Sequence, residues 1–226
     1  MSAMLSLAAD TPNGEKALST RIDHLVIAGW TGRDQAAVLA HVRELELLGV
    51  RPPRTTPIFY RAASALLTTQ AAIEVSGDAS SGEAEAVMLI LPDGEWIAVG
   101  SDHTDRELEK TSVTFSKQLC AKPLGRHVWP YEAVANHWDE LMLRSYAIAG
   151  GRRRLYQEAP ISRLRHPKDL LGAAGPIAAG TAMFCGTVPV IGEIGWADEF
   201  EVELEDPVRR RRIGHRYTVC ALPVEG

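Results

Sequence analysis

Excess positive charge is the first thing this sequence lacks. Its 24 lysines and arginines face 29 aspartates and glutamates, a formal net charge of −5 in 226 residues. Binding to nucleic acid or to an anionic membrane draws on surplus cationic charge, so neither partner is expected. No uncharged apolar run reaches the roughly 20 residues that span a bilayer. The opening stretch, MSAMLSLAADTPNG, has no basic flank leading into a long apolar segment, so no secretory signal is read there. Cysteine is scarce and scattered. Cys120, Cys185 and Cys220 are odd in number, lie far apart and form no CxxC pair, which argues against a disulfide framework or a thiolate metal site. They read as reduced packing residues of a cytoplasmic protein. Walker, Rossmann and nucleophile-elbow patterns are missing, as are internal repeats and low-complexity tracts.

What is present is a 46% hydrophobic content, enough to bury one full core. Residues 1–20 are polar and small and are expected to be a flexible tail. Residues 21–57 read as a small N-terminal cap segment with one helix. There IDHLVIAGW is β-rich, and TGRDQAAVLAHVRELELLG places Val38, Val42, Leu45 and Leu48 at helical spacing. Thr31 or Asp34 can cap that helix and Gly49 can close it, before the stiff connector RPPRTTP. Residues 58–226 read as the core, mostly short strands with turns between them. YAIAGGRRRLYQ is a hairpin bent at Gly150-Gly151, and GTAMFCG onward to RYTV supplies further strands. PYEAVANHWDELMLRSY and HPKDLLGAAG contribute helical pieces. The arginine runs at 152–154 and 209–212 read as solvated strand edges. The expected class is α+β: a curved, mixed and mostly antiparallel β-roll with a few short helices.

The segment GEAEAVMLILPDGEWIAVGSDHTDRELE carries the chemistry. Along a strand, residues two apart share a face, so Glu83 and Glu85 point together. With Asp93-Gly94 as a two-residue hairpin turn and Pro92 paired to Glu95, Glu85 falls opposite Asp102 and Glu83 opposite Thr104. A bulge at Gly100 shifts that register by one. Like charges facing one another across strands are destabilising unless a cation joins them, and oxygen ligands suit Mg²⁺, Mn²⁺ or Ca²⁺. A solvated acidic rim accounts for the same spacing. Ala86 to Leu91, continuously apolar, reads as buried on both faces, which keeps the end of that strand partly dry. His103 faces away from Asp102 and is read as packing or contacting substrate, and His137 as a helix-surface or core histidine.

These segments, in this order, resemble the fumarylacetoacetate hydrolase superfamily. GEAEAVMLI and GSDHTDRELE are similar to its Glu-x-Glu and Asn-Asp-x-x-x-Arg-Asp-x-Gln signatures. FSKQLCAKPLG, YAIAGGRRRLYQ, AAGTAMFCGTVPVIG and the closing ADEFEVELEDPVRRRRIGHRYTV follow suit, and HVRELELLGVRPPRTTPIFYR matches upstream. The likeness runs from about residue 38 to the end and is closest to an uncharacterised branch. It implies a β-roll with a divalent ion, Mg²⁺ or else Mn²⁺ or Ca²⁺, on Glu83, Glu85 and Asp102. It also implies a small-molecule carboxylate substrate, a homodimer, and chemistry on a 2-oxo acid or its enol through a metal-bound enolate.

The reaction expected from the resemblance is hydrolysis, decarboxylation, hydration or dehydration, or tautomerisation, by a hydrolase or lyase. A non-catalytic acid-binding or scaffold protein of the same fold is the alternative. The resemblance gives His41 and Glu44 as a lid pair that acts as base and orienter or activates a water. It gives Lys117 as a catalytic cation, and Arg106, Glu109 and Thr187 as substrate contacts. Glu109 stands where the family has Gln. An ionised carboxylate cannot donate a hydrogen bond, which weighs against hydrolysis through a tetrahedral oxyanion. Val38 replaces an aromatic residue before His41, and a tight hairpin replaces a helix between the metal-binding strands.

Overall fold

The computed structural model describes residues 2–12, 14–47 and 52–225, without the side chains of His41, Glu44 and Leu45. Its strands form two large mixed sheets. The eight-stranded sheet runs in the order Gly14–Ile22, Ala3–Thr11, His127–Pro130, Gly94–Ser101, Ala84–Leu91, Thr181–Thr187, His24–Gly29, Ile58–Ala62. The five-stranded sheet runs Arg152–Pro160, Met142–Ala149, Glu199–Asp206, Arg211–Leu222, Ala72–Ser76. Most neighbours pair antiparallel. The parallel exceptions in these two sheets join Ala3–Thr11 to His127–Pro130, Thr181–Thr187 to His24–Gly29, and Arg211–Leu222 to Ala72–Ser76. The expected α+β β-roll is what forms.

The apolar run at the centre explains the architecture. Along Ala84–Leu91, Ala86 and Met88 join Ile97, Val99, Leu143, Val202 and Leu204 in a core between the two sheets. Val87, Leu89 and Leu91 project to the opposite face. There they meet Phe184 of the neighbouring strand together with Leu5 and Leu7 from one end of the sheet and Leu25 and Ile27 from the other, so the sheet curls around a second core. A strand buried on both faces needs apolar residues at successive positions, and this one has them from Ala86 to Leu91, with Glu85 the buried exception.

Two segment assignments change. Residues 1–20 are not a loose tail: Ala3–Thr11 pairs with Gly14–Ile22 as a hairpin, and Leu5, Leu7, Ala9, Leu18 and Ile22 are buried. The period-two pattern there is faint because alanine and serine fill several positions, and only four large aliphatic side chains, Leu5, Leu7, Leu18 and Ile22, anchor it. Nor is 21–57 a cap apart from the core, since His24–Gly29 lies inside the large sheet between Thr181–Thr187 and Ile58–Ala62. Its helix, Gln35–Leu47, does form. Asp34 is the cap, its Oδ1 accepting from the Ala36 and Ala37 amides at 3.0 and 3.1 Å. Leu48 and Gly49 lie outside the described residues.

The hairpin at Gly150-Gly151 forms as expected, both glycines adopting positive φ (55° and 75°). Arg152, Arg153 and Arg154 are exposed on the outermost strand of the smaller sheet. In the other run, Arg211 folds inward onto Asp206 and the face of Trp129. All three cysteines are free. Cys120 and Cys185 are buried, but Cys220 is exposed and does not serve packing.

Candidate metal and substrate site

The turn after Ala84–Leu91 sets the site's register. Leu91 pairs with Gly94, so the two-residue loop is Pro92-Asp93 instead of Asp93-Gly94. Proline explains the correction. It has no N–H to give to a paired position, and its fixed φ suits the first corner of a turn. The register therefore moves by two. Glu85 lies opposite Gly100, and Asp102 lies opposite Glu83, its amide donating to the Glu83 carbonyl at 2.9 Å. A shift of two preserves which face each side chain takes, so the three carboxylates still converge. Each offers an oxygen within 4.8 Å of the others.

Glu85 and Asp102 are buried, at 2% and 0% exposure, and Glu83 is partly buried, so the carboxylates do not form a solvated rim. Burial, then the charge of Asp102, pushes the Glu85 carboxyl well above its usual range. Its Oε2 accepts from the Gly186 amide at 2.6 Å. Gly186, at φ +98°, lies so close to Thr31 that a Cβ would fall 1.7 Å from the Thr31 hydroxyl oxygen. Only glycine fits that approach.

Two ammonium groups share Asp102. Lys117, from the helix Val113–Leu119, hydrogen-bonds Oδ2 and stands 3.7 Å from Glu83 Oε2. Burial alone would lower the Lys117 pKa, but Asp102, Glu83 and Glu85 together raise it, so it stays charged. Lys122, wholly buried, lies 3.0 Å from Oδ1 and donates to the His103 carbonyl at 2.6 Å. Burial works against ionisation of Asp102, yet the two lysines hold its pKa below the ordinary value. Oδ1 is buried with Lys122 as its charged partner, and Oδ2 has Lys117. A hard divalent cation suits this donor set of three convergent carboxylates. Lys122 was not picked out from the sequence. A lone lysine between Ala121 and Pro123 carries no periodicity to mark it.

Arg106 and Glu109 open the helix Arg106–Thr111, whose N-cap is Asp105. Arg106 Nη1 is 3.1 Å from Glu83 Oε1 and 2.8 Å from Glu109 Oε2, and Nε donates to Ser81 Oγ at 2.7 Å. Burial lowers the Arg106 pKa less than Glu83 and Glu109 raise it, so the guanidinium stays charged. Nη2 is buried without a partner.

Thr187 is at the site, paired with Glu85, but its hydroxyl is committed. It donates to the Ala84 carbonyl at 2.8 Å and accepts from Gln157 Nε2 at 2.8 Å. Gln157 itself is fully satisfied. It also donates to Val188 O and accepts from the Ala84 amide and Ser145 Oγ, tying the Glu85 strand to the Thr187 loop. The side chains of His41 and Glu44 lie outside those described. The structure thus brings together Glu83, Glu85, Asp102, Arg106, Glu109, Lys117 and Thr187.

His103 faces away, as strand parity requires, and serves packing. Nδ1 is 3.0 Å from Tyr217 OH and Nε2 is 2.9 Å from Ser80 Oγ, with the Phe200 ring at its edge. Tyr217 gives its proton to Ser101 Oγ, so it must accept from His103 Nδ1–H, which fixes the tautomer. Burial, then the charges of Lys122 and Arg106, lowers the His103 pKa to about 3. The folded state therefore refuses a proton that the unfolded state takes below about pH 6.5. This group's contribution is complete above that pH and falls away as pH drops toward 3. Imidazole ¹⁵N spectra are expected to show neutral His103 with Nδ1 protonated down to pH 5. A protonated ring at pH 6 would contradict this network. His137 pairs with Asp206 at 2.9 Å.

Several solved structures share the fold at low sequence identity. 2-Keto-3-deoxy-D-arabinonate dehydratase, complexed with magnesium and 2,5-dioxopentanoate, superposes with a TM-score of 0.66 at 15% identity, covering 95% of this chain and 79% of that one. A yeast fumarylacetoacetate hydrolase family protein gives 0.63 at 14% identity, covering 90% and 95%. The protein Cg1458 gives 0.64 at 14% identity, covering 97% and 100%. No curated protein matches at a significant level. Among the described residues, no helix is long and apolar enough to cross a membrane. Residues 28–217 match the family model described as protein of unknown function (DUF2848), so the chain belongs to that family and carries it on the fumarylacetoacetate hydrolase fold.

Proposed function

We propose that this protein is an enzyme that depends on a divalent cation and acts on a small 2-oxo acid or its enol. The convergence of Glu83, Glu85 and Asp102 within 4.8 Å carries this reading. The dehydratase of the same fold, seen with magnesium and 2,5-dioxopentanoate, supports it. Bound to these three carboxylates, Mg²⁺, Mn²⁺ or Ca²⁺ would supply Lewis-acid stabilisation of negative charge developing on the 2-oxo oxygen. The chain's own groups supply the rest. Lys117 presents a fixed positive charge beside the carboxylates, and Arg106 clamps Glu83. The Thr187 backbone borders the same space. His41 and Glu44, three apart on one helix, share a face and act as base and orienter.

Decarboxylation, hydration or dehydration, and tautomerisation fit better than hydrolysis, because the carboxylate of Glu109 is engaged as an acceptor for Arg106. A homodimer in the cytoplasm is part of the same proposal. Saturable Mn²⁺ binding to the full chain is expected, followed by turnover of at least one member of a panel of oxaloacetate, acylpyruvates and 2-hydroxydienoates. No Mn²⁺ binding at millimolar metal would remove the reading. A non-catalytic scaffold is the competing reading. It draws on Lys117 and Lys122, whose ammonium groups already balance Asp102; Mn²⁺ binding without turnover of any 2-oxo acid would favour it.

A further inference from the structure

We infer that Glu109 sets the charge the site accepts, so that the cation-loaded protein selects a 2-oxo acid with one negative charge over one with two. This rests on the proposed function and names its substrate class.

Seven charged side chains gather at the site, linked by ion pairs or by carboxylate oxygens within 4.8 Å. Glu83, Glu85, Asp102 and Glu109 are anionic when a cation is bound, and Arg106, Lys117 and Lys122 are cationic. The cluster has one net negative charge, and a divalent cation converts it to one net positive charge. None of these groups is freely solvated. Side-chain exposure is 0% for Asp102 and Lys122, 8% for Lys117, 16% for Arg106 and 31% for Glu109. Water and salt screen such charges far less than they screen surface charges. A substrate with a single carboxylate neutralises the loaded site. A second carboxylate leaves the complex negative, next to the Glu109 oxygen.

Glu109 also determines what Arg106 can offer. The guanidinium is the natural anchor for a second carboxylate, because its fork matches that group with two parallel N–H donors. Here Nε is bonded to Ser81 and Nη1 lies between Glu83 and Glu109, which leaves Nη2 as the one nitrogen without a partner. A two-point clamp is therefore unavailable while Glu109 is ionised. Glutamine at this position would keep an acceptor for Nη1, remove the negative charge and give the loaded site a second positive charge.

The test compares oxalate with oxamate, which have the same shape and differ by one charge. Each is titrated into Mn²⁺-loaded protein by calorimetry. Glu109→Gln is expected to raise the oxalate-to-oxamate affinity ratio at least tenfold over the starting protein. Glu107→Gln, an equal change of charge on the exposed side of the same helix, is expected to leave the ratio within threefold. If both variants bind Mn²⁺ and Glu109→Gln stays within threefold, the charge filter is wrong and the metal site stands. If Glu107→Gln raises the ratio as much as Glu109→Gln, net charge alone is responsible and the filter is again wrong. If the starting protein binds no Mn²⁺, both the filter and the function beneath it fall. Glu109→Ala provides a check on the Arg106 contact: it is expected to raise the ratio as glutamine does, and an unchanged ratio would overturn the assignment.

Discussion

Replacing Asp102 with alanine is expected to abolish divalent-cation binding and to destabilise the fold by about 3–5 kcal/mol, the usual cost of breaking a buried ion pair on one side. The two effects share a cause. Asp102 is one of three convergent oxygen donors, and it is also the common counter-ion of Lys117 and Lys122. Without it, two ammonium groups remain in a low-dielectric interior, Lys117 near Glu83 and Glu85 and Lys122 on the His103 carbonyl. Asp102→Asn separates the roles. The amide keeps the volume and an acceptor oxygen but loses the charge, so cation affinity is expected to fall at least a hundredfold while part of the stability returns. Mn²⁺ titration and urea unfolding read the two quantities. An alanine variant with unchanged Mn²⁺ affinity would falsify the ligand assignment, whatever happened to stability.

The second large effect falls on a residue with no side chain. Gly186→Ala would place a methyl group 1.7 Å from the Thr31 hydroxyl oxygen, 2.8 Å from its Cβ and 3.1 Å from its Cγ2. Thr31 is buried and cannot simply swing aside. Overpacking of this kind costs about 1–3 kcal/mol, and a side chain at positive φ adds about 1–2. The sum, on the order of 2–5 kcal/mol, comes with a functional consequence, because the same residue's amide holds Glu85 Oε2 at 2.6 Å. Weaker Mn²⁺ binding should accompany the lower unfolding midpoint. Thr31→Ala, by removing the hydroxyl, is expected to relieve part of the loss in the double variant, and the cycle measures how much of the cost is steric. A single Gly186→Ala variant within 1 kcal/mol of the starting protein would show that the Thr31 contact yields easily.

Which features could be read from residues alone follows from how local their causes are. Glu83, Glu85 and Asp102 were legible because strand parity is robust: a two-residue error in register leaves every side chain on its face. The register itself was misread because Asp-Gly outweighed a proline that cannot pair. Arg106 and Glu109, three apart at the start of a helix, meet as their spacing requires. Lys122 was invisible because its meaning comes from tertiary packing, which brings Lys122–Pro123 beside Leu67–Thr68 and buries its ammonium under Asp102. The N-terminal hairpin was missed for a different reason. Its strands contain too many small and polar residues for their alternation to stand out, and their burial depends on a parallel partner at His127–Pro130. Gln157 belongs with Lys122, since its four hydrogen bonds reach three separate stretches of chain.

The central strand Thr181–Thr187 has an implication for how the molecule assembles. It inserts between Ala84–Leu91 and His24–Gly29, bringing together segments more than 90 and 150 residues apart in the chain. The acidic hairpin, whose three carboxylates lie fewer than twenty residues apart, closes a short loop; this strand closes two long ones. High contact order of this kind makes folding slow and leaves unpaired strand edges exposed in the meantime. On the ribosome, the hairpin bearing Glu83, Glu85 and Asp102 emerges well before Gly186 arrives to fasten Glu85. The three carboxylates are therefore synthesised well before the backbone amide that fastens one of them.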